Sequence, residues 1–166
     1  MGFDFSPDEI FAMAAEIEKN GAAFYRKAAK SVSCEKTREL LEELAAMETG
    51  HEKAFSQMRE DLPGQSRVST TFDPEGETAM YLKSLADRRV FSSDKEPSFG
   101  QDGTCSDADL KDVLEFALSR EQESIAFYSG MREMVGTEAD KCKVDEIIRE
   151  EMAHARMINN QLALLK

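Results

Sequence analysis

Apolar residues recur along this chain at the three- and four-residue intervals of an α-helix, and the alternation that marks a half-buried strand is nearly absent. The first such stretch opens on Ser6-Pro7-Asp8-Glu9. Ser6 can cap, Pro7 suits the first helical position, and Glu9 completes a capping box, so a helix is predicted from Pro7 to about Ser31. A second is predicted from about Glu35 to Asp61, ahead of Pro63-Gly64. A third follows a cap at Ser106, and a fourth follows a cap at Thr137 and reaches the C-terminus. The stretch between the pairs, about 62–105, is long. Asp73-Pro74-Glu75 opens a shorter helix within it, ending near Phe91, before a polar run rich in Ser, Asp and Gly.

The two helical pairs are related. Shifted by 103 residues, the distance from Glu18 to Glu121, the first half falls on the second without a gap. Glu18 meets Glu121, Ala23-Phe24-Tyr25 meets Ala126-Phe127-Tyr128, Glu48 meets Glu151, and His51 meets His154. Two similar antiparallel hairpins joined by one long crossover predict an all-α, ferritin-like four-helix bundle. The expectation is one domain over residues 1–166, with hairpin 1 at about 7–61, the crossover at about 62–105 and hairpin 2 at about 106–166.

Each half carries one repeat-matched glutamate on its first helix, Glu18 or Glu121, and a Glu-x-x-His on its second, Glu48 with His51 and Glu151 with His154. Residues three apart share a helix face, so each pair can grip one site. These are the chain's 2 histidines, and both stand at the same repeat position. A single Glu-x-x-His means little, whereas two that exhaust the histidines are specific. The midpoint of Glu18 and Glu48 is Ser33, and that of Glu121 and Glu151 is Gly136, both in predicted turns. At ~1.5 Å rise per residue each glutamate therefore sits ~22 Å from its turn, and all six groups meet at one level.

The faces agree. Glu18 shares a stripe with Phe11, Ala14 and Tyr25, and Glu121 with Leu114, Ile125 and Tyr128. Glu48 and His51 lie with Leu41, Leu44 and Phe55, while Glu151 and His154 lie with Val144, Ile147 and Ile158. A buried, uncompensated carboxylate costs several kcal/mol or takes up a proton, so four together call for cations. Two divalent ions balance four glutamates, and two ferric ions need one bridging oxide besides. Carboxylate and imidazole donors suit iron or manganese; zinc can occupy such a site but cannot change oxidation state. By ligand geometry Glu48 and Glu151 bridge, with Glu18 and Glu121 terminal. Glu16, Glu52, Glu123 and Glu150 neighbour these residues but point elsewhere, so solvated surface is expected of them. The 9 methionines read as core filler.

Charge and composition narrow the partners. A formal charge of −12 opposes nucleic acid and anionic membranes, which call for a basic patch. No segment is apolar and long enough to span a bilayer, and the start lacks a signal peptide's basic region. The 3 cysteines, Cys34, Cys105 and Cys142, form no CxxC pair and read as free thiols in a reducing cytoplasm.

The paired glutamate and Glu-x-x-His motifs on repeated hairpins resemble the rubrerythrin-like branch of the ferritin superfamily. The resemblance covers both hairpins and implies a diiron centre, oxo-bridged when oxidised, that reacts with hydrogen peroxide or oxygen. It also matches Tyr25 and Tyr128, seven residues after Glu18 and Glu121, as donors to the ligands, although aromatic packing alone would place tyrosines there equally well. Three departures stand out. There is no four-cysteine rubredoxin-like domain; Thr49 replaces the haem-ligand methionine of bacterioferritins; and the extra third-helix glutamate of rubrerythrins has no counterpart among Ala117, Leu118, Ser124 and Ile125.

The resulting expectation is a cytoplasmic diiron peroxidase or oxidase, a homodimer, fed by a separate electron-donor protein. Two alternatives stay open: an iron-binding or storage protein with ferroxidase activity, and a bundle that keeps metal for stability alone.

Overall fold

Ser6 starts the first helix by closing the expected capping box. Its Oγ accepts from the Glu9 N–H at 3.3 Å, and its own N–H donates to the Glu9 carboxylate at 2.9 Å. In the computed structural model the chain is described over residues 6–63, 76–85, 97 and 107–165. The described residues form five helices: α1 (Pro7–Ser31), α2 (Glu35–Glu60), α3 (Glu77–Leu85), α4 (Asp107–Met134) and α5 (Glu138–Leu164). Thr137 caps α5, its Oγ1 accepting from the Asp140 N–H at 3.0 Å. The cap expected at Ser106 and both ends expected for the crossover helix, Asp73 to Glu75 and Phe91, lie outside the described residues.

α1 packs chiefly against α2 and α4 chiefly against α5, giving the two hairpins. The turns after α1 and α4 lie at opposite ends of the bundle, because Val32 belongs to one apolar cluster and Val135 to the other. One cluster gathers Phe11, Phe55, Met131 and Val144; the other gathers Phe24, Leu41, Leu114 and Ile158. The end of α2 and the start of α4 thus lie at opposite ends too, which is why the hairpins need a long connection. Arg59 clips the open end of hairpin 1 through two 2.9 Å bonds to Asp8.

α3 lies against α4, burying Ala79 and Leu82. A Cβ on Gly130 would stand 3.0 Å from Leu82 Cδ2 and 3.2 Å from the Tyr81 ring, so the missing side chain sets how closely α3 approaches. The methionines divide. Met58, Met131 and Met134 fill the core as expected, but Met80 and Met152 are 46% and 53% exposed. Each of these two falls on the outward arc of a helix whose inward arc is already filled, by Ala79 and Leu82 or by Glu151 and His154.

Candidate metal centre

Between the two apolar clusters lies a polar layer drawn from all four long helices. Glu18 comes from α1, Glu48 and His51 from α2, Glu121 from α4, and Glu151 and His154 from α5. All six are buried, none more than 5% exposed. The height coincidence of the internal repeat brings them to one level, and the helical stripes turn them inward.

Their atoms fall into two overlapping groups. Glu18, Glu48, His51 and Glu151 form one, and Glu48, Glu121, Glu151 and His154 the other, with each group's ligand atoms within 4.8 Å of one another. Metal–oxygen and metal–nitrogen bonds of about 2.0–2.2 Å place ligand atoms up to about 4.4 Å apart, so each group is close to the spacing of one coordination sphere. Glu48 and Glu151 belong to both groups. The imidazoles lie side by side, centroids 5.6 Å apart and planes 18° from parallel. His51 Nδ1 is 2.8 Å from Glu151 and 3.7 Å from Glu18; His154 Nδ1 is 3.1 Å from Glu48 and 3.4 Å from Glu121.

Hydrogen bonding separates the inward atoms from the outward ones. Tyr25 donates to Glu121 Oε1, and Tyr128 donates to Glu18 Oε1. Each phenol therefore serves the other hairpin's glutamate, not the one seven residues before it. Burial, then the nearby carboxylates, hold both phenols well above their ordinary pKa, so they remain donors. The partner oxygens, Glu18 Oε2 and Glu121 Oε2, have no hydrogen-bond partner among the described residues, and neither do Glu48 Oε1, Glu151 Oε1 and both Nδ1 atoms. Buried polar atoms are rarely left so. Aimed together, these orphans fit a pair of cations.

The electrostatics point the same way. Burial and then the Glu18 carboxylate push Glu48 well above its ordinary value. Burial and crowding by Glu18 and Glu121 do the same to Glu151, against the pull of the His51 imidazole 2.8 Å away. Burial also presses Glu121 upward, but His154, Glu151 and Tyr25 outweigh it and hold that carboxyl low. Burial opposes the protonation of His51, yet Glu151 and Glu18 raise it to about 11. Without a cation the cluster collects protons in its place.

One nearby residue departs from the sequence expectation. Glu150 was expected on solvated surface, and its side chain is indeed 54% exposed. Its Oε2 nevertheless stands 2.7 Å from His51 Nε2 on the other hairpin. Reading α5 alone, Glu150 points ~100° away from Glu151; only the packing of α2 against α5 brings the histidine under it. The signal available in the sequence was the repeat itself, which sets Met47 opposite Glu150. Glu16 is exposed beside Lys19, whereas Glu52 and Glu123 are half-buried.

A four-helix bundle with a buried, carboxylate-bridged Glu/His metal site is a defined class, and the comparisons narrow it. The rubrerythrin family model matches residues 9–162, so the chain belongs to the rubrerythrin family. Its fold is similar to the crystal structure of a putative ferritin-like diiron-carboxylate protein from Thermotoga maritima. That likeness has a TM-score of 0.70 at 20% identity over 98% of each chain, and it establishes the ferritin-like fold. No curated protein matches the sequence. Among the described residues no helix is long and apolar enough to cross a membrane.

Proposed function

We propose that this protein is a non-haem diiron oxidoreductase that reduces hydrogen peroxide or oxygen with electrons from a separate donor. The observation that carries this reading is the pair of four-residue groups sharing Glu48 and Glu151. Glu18 and His51 would hold one ion and Glu121 and His154 the other, with Glu48 and Glu151 common to both. Carboxylate and imidazole donors suit iron, and manganese or zinc would fit the same atoms. A bound iron pair supplies two electrons, one from each ion, to the oxidant.

The chain's own residues prepare that chemistry. Tyr25 and Tyr128 anchor the outer oxygens of Glu121 and Glu18, which leaves the inner oxygens turned to the site before any ion arrives. The apolar clusters on both sides keep bulk water from the layer and strengthen every charge interaction within it. The cysteines in this chain supply no four-thiolate iron site, so the electrons are assigned to a partner.

Anaerobic loading with ferrous iron should give two irons per chain, and one equivalent of hydrogen peroxide should oxidise both. Fewer than one iron per chain, or irons that neither peroxide nor oxygen oxidises, would rule the reading out.

A further inference from the structure

The internal repeat is broken beside the metal centre where Glu150 stands. Glu150 of α5 reaches His51 of α2 with its Oε2 2.7 Å from Nε2. The repeat-equivalent residue on α2 is Met47, which has no carboxylate to offer His154. Correspondingly, His154 Nε2 finds no hydrogen-bond partner among the described residues, although that residue is 0% exposed. The inner nitrogens are alike, each Nδ1 lying within 4.0 Å of one terminal glutamate and of both shared ones. The two histidines thus differ at their outer nitrogens.

We propose that Glu150 is a positioning residue that makes the two metal sites unequal, with His51 the better-held ligand. This inference rests on the diiron reading. A neutral imidazole carries one N–H, and a carboxylate at Nε2 keeps that hydrogen there, leaving the Nδ1 lone pair turned inward. The same bond fixes the plane of the ring and makes it a stronger donor. No described side chain specifies the tautomer of His154 or tethers its outer edge. The His51 ion therefore binds first and more tightly, and the His154 ion second. Glu150 acts through His51 and touches no metal itself.

The test is anaerobic titration of the full chain with ferrous iron, followed by calorimetry, for wild type, Glu150→Gln and Glu150→Ala. Wild type should show two distinct affinities. Glu150→Ala should weaken the tighter one by about tenfold to a hundredfold and leave the weaker unchanged. Glu150→Gln, which keeps a neutral acceptor, should lose less. Glu150 lies at the surface, and alanine is the best helix former, so the fold should persist in both variants. Mössbauer spectra of the diferrous forms give a second readout, with two unlike iron signals in wild type that converge in Glu150→Ala. Equal losses at both sites would reduce Glu150 to a nearby charge and overturn the inference, as would two unchanged affinities. Wild type binding fewer than two ions would instead overturn the diiron reading and this inference with it.

Discussion

Tyr25 of the first hairpin gives its hydroxyl hydrogen to Glu121 of the second, and Tyr128 returns the same bond to Glu18. Tyr25→Phe would leave Glu121 Oε1 without its donor, free to rotate inward or to hold a proton. Ferrous affinity at the Glu121 and His154 end should fall about tenfold, the lower end of what such supporting bonds contribute. Anaerobic titration measures it. Unchanged affinity in Tyr25→Phe and Tyr128→Phe together would show that the phenols only fill space.

Four buried glutamates should make the metal-free fold weaker than the loaded one. Loading should raise the melting temperature, increasingly with free metal. Glu48→Gln replaces a carboxyl that must take up a proton to be buried without metal, so its metal-free form should melt above metal-free wild type. A gain on the order of 1 kcal/mol corresponds to ~2–4 °C at this size. The same variant should lose most of the metal-induced rise. Calorimetric melting of both proteins with and without iron decides it, and a metal-free Glu48→Gln that melts lower than wild type would contradict the account.

The pH dependence of the metal-free protein follows from the same groups. Glu48 and Glu151 have folded values above the ~4.3 of an unfolded glutamate, so their contribution is complete below that pH and lost as pH rises through the folded values. His51 works in the same direction, its contribution complete below ~6.5 and lost toward about 11. Glu121 is held low, and so is Asp145 of α5 by the hydrogen bond it accepts from Arg132 of α4, so their contributions fail only on acidification below about pH 4.5. Metal-free protein should therefore melt higher at about pH 5.5 than at about pH 8. A bound metal ion would replace those protons, so its stabilising effect should grow with pH. Melting curves at the two pH values would expose the opposite order.

Much of this was legible in the chain because helical bundles write their contacts locally. Ser6, Glu9 and Thr137 announce helix starts through bonds spanning only three residues. The repeat places Glu18, Glu48, Glu121 and Glu151 at one height without any knowledge of packing. Bonds that cross between hairpins were not legible. Tyr25 was expected near the ligands, but that it serves Glu121 depends on how α1 lies beside α4. The sequence of α5 turns Glu150 outward toward solvent, and α5 alone does not show that His51 lies beneath it.

The surroundings of Glu121 bear on how the centre changes with oxidation state. One turn away in either direction stand Ala117, Leu118, Ser124 and Ile125, all buried or half-buried and none a carboxylate. Glu123 lies about 200° around α4 from Glu121. Each iron should keep its histidine, His51 or His154, in both oxidation states, and the preference for peroxide over oxygen should be small. Structures of the diferrous and diferric forms, with single-turnover oxidation by each oxidant, test both statements. An iron that moves by more than about an ångström and releases its imidazole, or a large peroxide preference, would refute them.

α3 offers a change remote from the metal. Gly130→Leu would drive a side chain into Leu82 and Tyr81 and lift α3 from α4. Overpacking of this kind costs about 1–3 kcal/mol. Chemical denaturation should show that loss while two irons still bind, and a variant as stable as wild type would mean that α3 yields without cost.

Neither hairpin holds a whole metal site, since each of the two ligand groups takes residues from both. Two identical hairpins could in principle assemble such a centre as separate chains, but every substitution would then appear twice, once on each side of the symmetry axis. Joining them in a single polypeptide releases that constraint. One copy can carry Glu150 and the other Met47, and a centre built by symmetry can acquire a direction.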